Sequence, residues 1–245
     1  SVLKKLSREF GFEDRWAFCA RYLKTPECAG LSLSQIQQLY KDADAILNVC
    51  GAQEMNDDLL KSDRMIYVES DPGVEQMKID NDNGKIPEYL QQHHSLFTFG
   101  ELVGTPKFAV PTHGVRWLPT RQPVVTDFWK TSNPPPAGAR FTSVANWNTS
   151  GRKDVVWRNS TYLWSKSLEF LKFVEAPSRS GEDFELATEI KDPHALPKFE
   201  ANRWKFTDPN PISIDHRQYL AYLQHSKGEF TVAKDQYVRL NTGWF

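Results

Sequence analysis

The chain has 245 residues, enough for one large domain or two modest ones. Its 40% hydrophobic and 25% charged residues suit an ordinary globular protein rather than a disordered, collagen-like or coiled-coil chain. Thirty Lys and Arg stand against 31 Asp and Glu, a net charge of -1 that provides no overall positive field to recruit nucleic acid or an anionic membrane. Aromatic residues make up 13%, eight of them tryptophan, so a substantial core is expected.

In chain order, Ser32 or Ser34 caps a first helix over Ser32 to Tyr40, with Ile36, Leu39 and Tyr40 at helical spacing. The apolar runs Ala45 to Cys50 and Met65 to Val68 read as buried parallel strands, ended by Gly51 and by Glu69-Ser70-Asp71-Pro72-Gly73. Glu54 to Asp63 lies between these strands, Val74 to Ile79 and Ile86 to Gln92 after them could each form a short helix, and Ser95 to Phe99 is a third strand leaving into Gly100-Glu101. Thr131 to Ala139 contains three successive prolines, which lack the backbone donor and fix φ, so it belongs in neither a helix nor a central strand. This places a linker at 134–139, between an N-terminal domain over 1–133 and a C-terminal domain over 140–245. Beyond it, strands at Phe141 to Ala145, Phe184 to Thr188, Trp204 to Phe206 and Glu229 to Ala233 alternate with helices at Thr161 to Val174, His194 to Ala201 and Asp215 to His225. Strand-helix alternation on both sides of the linker predicts α/β architecture: two domains with mostly parallel sheets.

Cys19, Cys28 and Cys50 share no metal-ligand spacing, and their odd number favours free thiols in a reducing compartment. No run of about 20 apolar residues and no apolar leader is present, so a cytoplasmic location without a transmembrane segment is expected. The phosphate-binding loop, the Gly-x-Gly-x-x-Gly fingerprint and the Gly-x-Ser-x-Gly elbow are all missing, as are paired zinc ligands. Asn148-Thr149-Ser150 and Asn159-Ser160-Thr161 match the glycosylation acceptor pattern, and without secretory context are taken as chance.

In parallel sheets ligands bind beyond the carboxyl ends of the strands, which directs attention to the exit loops. Turn chemistry alone also explains the Gly, Asp and Asn found there. Asp71 is either a group that orients a hydroxyl or takes a proton, or the start of an Asx turn opening the next helix. Of six histidines, His93 and His94 fall in a polar, solvated stretch. His113 is the one to weigh as a site residue, because Gly114 permits close approach and Arg116 could meet an anion. Trp164 reads as a core residue within a helix, whereas Trp147 in an exit loop is a candidate stacking platform.

Lys227-Gly228-Glu229-Phe230-Thr231-Val232-Ala233-Lys234, with Tyr237-Val238 and Thr242-Gly243-Trp244-Phe245, resembles a group of bacterial glycosyltransferases of the two-domain GT-B type. Tyr67 to Gly73 with Gln76, Phe97 to Glu101, Trp117 to Val125 and Asn146-Trp147 are similar to that group in the same order, and the resemblance runs from about Gly11 to Phe245. It implies two Rossmann-like domains facing a cleft, a nucleotide-sugar donor as substrate, a small-molecule or saccharide acceptor, and no metal or other cofactor. The donor side would hold Asn146, Trp147, Asn148, Glu229 and Lys234. The acceptor side would hold Asp71, Gly73, Gln76, Glu101 and His113, with Asp71 and His113 as the catalytic candidates. In extent the chain departs from the family: the resemblance begins after the first strands of the N-terminal domain and stops before a donor-binding Ser-Asp-Arg-like segment. The family's catalytic base, in the first strand-helix loop, is therefore expected to be missing from this chain.

Two other readings compete. In a methyltransferase-like enzyme, Ile46 to Gly51 would be the first strand and glycine loop, and Glu69 the acidic residue ending the next strand. A non-catalytic glycosyltransferase-like scaffold would bind a saccharide or a protein without turnover, because function lives in the site and not in the fold.

Overall fold

A computed structural model of the chain describes residues 2–20, 27–53, 55, 63–130, 134–149, 151 and 153–244. The elements, in chain order, begin with α1 (Val2–Glu9), β1 (Ala17–Ala20), β2 (Glu27–Gly30), α2 (Leu33–Asp42), β3 (Ile46–Val49), β4 (Met65–Glu69), α3 (Val74–Asn81), α4 (Glu88–Gln91), β5 (Ser95–Thr98) and β6 (Trp117–Pro119). They continue with β7 (Phe141–Val144), β8 (Val155–Trp157), β9 (Ser160–Tyr162), α5 (Ser167–Leu171), α6 (Ala176–Ser180), β10 (Phe184–Ala187) and α7 (Leu196–Ala201). The last are β11 (Lys205–Thr207), α8 (Pro209–Ser213), α9 (His216–Gln224), β12 (Gly228–Glu229) and α10 (Asp235–Leu240). The chain divides into two compact units, Ser1–Glu69 with Ile86–Phe97, and Ser70–Lys85 with Thr98–Phe245. Within Glu54 to Asp63 only Met55 and Asp63 are described, and the Thr131 to Asn133 stretch before the linker lies outside the described residues.

In the first unit, the Ser32 hydroxyl accepts from the Gln35 N–H while the Gln35 side chain accepts from the Ser32 N–H at 2.9 Å, so two otherwise orphaned donors open α2. β3 and β4 pair in parallel, Ile46 opposite Met65 and Val49 opposite Val68. β4 alternates as a half-buried strand should, with Met65, Tyr67 and Glu69 inside. β3 departs from the expectation of a strand buried on both faces: it lies at a sheet edge, Leu47 and Val49 are exposed, and its buried side chain is Asn48.

That buried amide is satisfied: Asn48 donates to the Gln53 carbonyl at 3.1 Å and accepts from the Gln53 N–H at 2.9 Å. Its Nδ2 also lies 3.1 Å from Nε2 of His93, whose Nδ1 is 2.7 Å from the Tyr89 carbonyl. The Tyr89 carbonyl can only accept, so Nδ1 carries the proton and Nε2 accepts from Asn48. His93 is thus buried rather than solvated. Burial lowers its pKa below the ordinary value, against the opposing effect of the Tyr89 carbonyl.

The cysteines also depart from expectation. β1 and β2 run antiparallel with Cys19 directly opposite Cys28, and the two form a disulfide, with the exposed Cys50 outside it.

The second unit is built on a four-stranded parallel sheet of order β11-β10-β7-β12. Phe141 pairs with Phe184, and Leu186 with Phe206, so the apolar runs of the sequence become neighbouring rows. The core gathers Trp147, Phe170, Phe184, Leu186, Phe199, Trp204 and Val232. Burying each large apolar side chain contributes about 1.5–3 kcal/mol. β12 is shorter than its sequence suggests, although Phe230 extends the ladder by donating to Thr142 at 3.0 Å.

The expected helix over Thr161 to Val174 is replaced by a hairpin and a shorter helix. β8 and β9 pair antiparallel, and Arg158 and Asn159 form the two-residue turn, both with positive φ as a twisted hairpin requires. The β-branched and aromatic Thr161 and Tyr162 pair with Val156 and Val155, and the helix is confined to Ser167–Leu171. Trp164 is a core residue outside any helix, its indole N–H donating to the Lys153 carbonyl at 2.8 Å.

Candidate functional site

Because all four strands of the second sheet run parallel, their exit loops emerge along one edge. Those after β7, β10 and β11 surround a cavity of about 610 Å³. Its walls include Asn146, Trp147, Asn148, Thr188, Phe206, Asp208 and Asn210, and no Lys, Arg or His among the described residues lines it. The β7 loop is held from behind by Thr149, whose N–H donates to the Ser165 hydroxyl at 3.3 Å and whose hydroxyl donates to the Trp164 carbonyl at 3.3 Å. Asp208 caps α8 by accepting from the Asn210 backbone N–H at 2.9 Å and side-chain amide at 2.8 Å. Glu189, exposed, pairs with Lys191 at 3.3 Å. Thr188 is buried, and its hydroxyl has no hydrogen-bond partner among the described residues.

Three of the expected donor-side residues, Asn146, Trp147 and Asn148, therefore share this cavity. Trp147 differs from its neighbours: its ring is 3% exposed, stacks on Phe170 and meets Phe199 edge-on, so the same residue serves the cavity wall and the core.

Glu229 and Lys234 stand at the exit of β12 instead. Lys234 Nζ donates to Asp71 Oδ1 at 2.6 Å, and the Tyr237 hydroxyl donates to the same oxygen. The Lys234 ammonium also lies 4.8 Å from the Trp164 ring centroid and 5.2 Å from that of Tyr237, within cation-π range. Nearby, Lys166 reaches the Thr231 hydroxyl at 3.4 Å. Burial lowers the Lys166 pKa, the Glu229 carboxylate opposing and the Lys234 charge adding to the fall. The structure thus joins Asp71, expected on the acceptor side, to Lys234, expected on the donor side.

The remaining acceptor-side residues have separate partners. Gln76 is buried and accepts from the Gly73 N–H at 2.7 Å, a capping contact at the start of α3. Gly73 has φ +102°, and a Cβ there would meet Leu240 Cδ1 at 2.6 Å. A Cβ on Gly100 would meet Val103 and Pro72 at 2.6 and 2.7 Å, and one on Gly243 would meet Leu102 at 2.9 Å. These loops and the chain after α10 therefore pack backbone against side chain with no space left. Glu101 pairs with Arg121 at 2.5 Å on the surface.

His113 Nε2 donates to Asp80 Oδ1 at 2.7 Å, while Asp80 Oδ2 accepts from the Trp157 indole at 2.6 Å and lies 3.6 Å from Arg158. Burial alone would raise the Asp80 carboxyl. The hydrogen bonds from Trp157 and His113 and the Arg158 charge outweigh it and hold the pKa below the ordinary value. Asp80 on α3 therefore holds both the β8–β9 hairpin, through Trp157 and Arg158, and the loop that carries His113.

Thr188, Asp208, Asn210, Lys166 and Tyr237 escape the sequence reading. The first three were accessible in principle, since they follow strands that the apolar runs reveal. Lys166 carries no such signal, because it falls within the helix expected over Thr161 to Val174, and Tyr237 enters the resemblance as part of a phrase without a site role. Among the described residues, no group of three His, Cys, Asp or Glu is placed to hold a metal, and no helix is long and apolar enough to cross a membrane. No protein-family model, curated protein or solved structure matches the chain. The class supported by the structure is a mixed α/β protein with parallel sheets.

Proposed function

We propose that this chain is a glycosyltransferase that moves a sugar from a nucleotide-sugar donor to an acceptor hydroxyl, with a GT-B arrangement of two Rossmann-like domains. The observation that carries the reading is the exit edge of the second sheet. A cavity lined by amides, hydroxyls, the aromatic rings of Trp147 and Phe206 and the carboxylates of Glu189 and Asp208, with no cation among the described residues, suits an uncharged ligand half rich in hydroxyl groups, from which carboxylates can accept and to which amides can donate. The adjacent strand β12 leads to Lys166 and Lys234, whose charges suit a diphosphate. A nucleotide sugar joins those two chemistries in one molecule.

In the proposed reaction a base takes the acceptor hydroxyl proton, the acceptor oxygen bonds to the anomeric carbon, and the bond from that carbon to phosphate breaks. The nucleoside diphosphate leaves with the electron pair, and the lysines stabilise its charge. Asp71 already accepts two hydrogen bonds at one oxygen, which fits holding Lys234 better than taking a proton.

Thermal unfolding with a panel of UDP, GDP, dTDP, their sugars and S-adenosylmethionine tests the reading. A ligand at 100 times its Kd adds about 2.7 kcal/mol, a Tm rise of about 5–10 °C for a chain of this size. Protection by one nucleotide sugar, followed by its consumption with an acceptor, is the expected result. Protection by S-adenosylmethionine alone would favour a methyltransferase-like enzyme, and silence across the panel a non-catalytic scaffold.

A further inference from the structure

Lys166 and Lys234 are neighbours with unequal surroundings. Lys234 has a carboxylate in contact, Asp71, and two aromatic rings around its ammonium. Lys166 is half-buried, and its hydrogen-bond partner is the neutral Thr231 hydroxyl. Among the described residues no carboxylate is in contact with it, and the Glu229 carboxylate acts on it only from a longer distance. A buried cation without a contacting counter-ion is costly, and a second cation beside it raises that cost. An anion placed between the two lysines would relieve both.

Asp71 stands in the way. The Asp71 and Lys234 side chains are 28% and 23% exposed, so water reaches the pair although most of it is buried. Removing one partner would leave the other charge uncompensated, whereas a bound anion would take over the role of Asp71 at Lys234. Tyr237 gives Asp71 a hydrogen bond that persists when Lys234 turns away, so the carboxylate keeps a donor in either arrangement.

We propose that Asp71 is a built-in competitor for the anion site at Lys166 and Lys234: in the free protein it holds Lys234, and a bound phosphoryl group takes its place. This rests on the glycosyltransferase reading only in naming the diphosphate as the anion. Departure of the nucleoside diphosphate after transfer would then be assisted, because Asp71 recaptures Lys234 as the product leaves.

Inorganic pyrophosphate is the probe, titrated calorimetrically into the whole chain and its variants, with folding checked by circular dichroism. Asp71→Asn keeps the shape and removes the competing charge, and its affinity is expected to rise roughly tenfold, on the scale of a hydrogen bond to a charged group. Tyr237→Phe weakens the hold on Asp71 while keeping every charge, and changes affinity less. Lys166→Met and Lys234→Met each abolish binding. Should Asp71→Asn fail to fold, Asp71→Ser replaces it with the same expected direction.

Unchanged or weaker pyrophosphate binding in the Asp71 variants overturns the proposal, as does absence of binding in every variant. The nucleotide-sugar panel is read separately. Donor protection with no Asp71 effect sinks the competitor and leaves the transferase, whereas an Asp71 effect with no donor protection does the reverse.

Discussion

Replacing Thr188 with valine tests whether the cavity at the exits of β7, β10 and β11 is a ligand site. The Thr188 side chain is buried and its hydroxyl finds no hydrogen-bond partner among the described residues, so that group is desolvated without a protein partner to compensate. Such a group costs about 1–3 kcal/mol, and valine matches threonine in shape while removing it. Thr188→Val should therefore stabilise the free chain by about 1–2 kcal/mol, a Tm rise of about 3–6 °C. If the hydroxyl serves a ligand, the variant should also bind that ligand about tenfold more weakly, so that stability and affinity move in opposite directions. Differential scanning calorimetry with and without the protecting nucleotide sugar measures both quantities on one sample. A lower Tm in the free variant would refute the argument, since it would mean that the hydroxyl is already satisfied. Higher stability with unchanged affinity would refute the ligand role alone.

Cys19→Ser should lose about 2–3 kcal/mol, the value expected for opening a crosslink between residues nine apart, and reducing the wild type should reproduce the loss. Three titratable thiols in the folded, unreduced protein would contradict this. The stability contributed by His93 should be full above its ordinary value of 6.5 and lost as pH falls through its lowered value in the folded chain, because the unfolded chain takes the proton first. Urea midpoints between pH 8 and 5 should fall more steeply for the wild type than for His93→Gln, and parallel curves would count against the buried network. Phe199→Ala removes a fully buried ring that touches Trp147, Trp204 and Phe206, and should cost about 3–5 kcal/mol by urea unfolding. A loss below about 1 kcal/mol would show that the core collapses around the gap.

The elements legible in the sequence are those whose signal is local. Ser32 with Gln35 announces α2, and Asp215 announces α9 by accepting from the Arg217 N–H. The runs at Phe141 and Phe184 become β7 and β10, buried enough for composition alone to mark them. The hairpin is hidden because Thr161 and Tyr162 fall within the segment read as a helix from Thr161, and only pairing with Val156 and Val155 makes them a strand. α10 escaped because six residues carry little periodicity, and its placement depends on burying Gln236, Tyr237 and Leu240 in tertiary contacts. The Cys19–Cys28 bond required knowledge of the strand register, which spacing does not contain. The Asp71–Lys234 contact joins residues 163 positions apart, so each could be noticed alone and neither could be assigned to the other.

Gly73, Gly100 and Gly243 occupy positions where any side chain would collide with a neighbour. They come from three separate stretches of sequence, yet each depends on atoms contributed by another of those stretches. Homologous recombination or domain grafting that draws these stretches from different parents would break the mutual fit even when every parent carries glycine, because the opposing Leu240, Pro72 and Leu102 must match as well. Viable chimaeras should therefore inherit the three stretches as a block, and a saturation library should find these glycines among its least permissive positions.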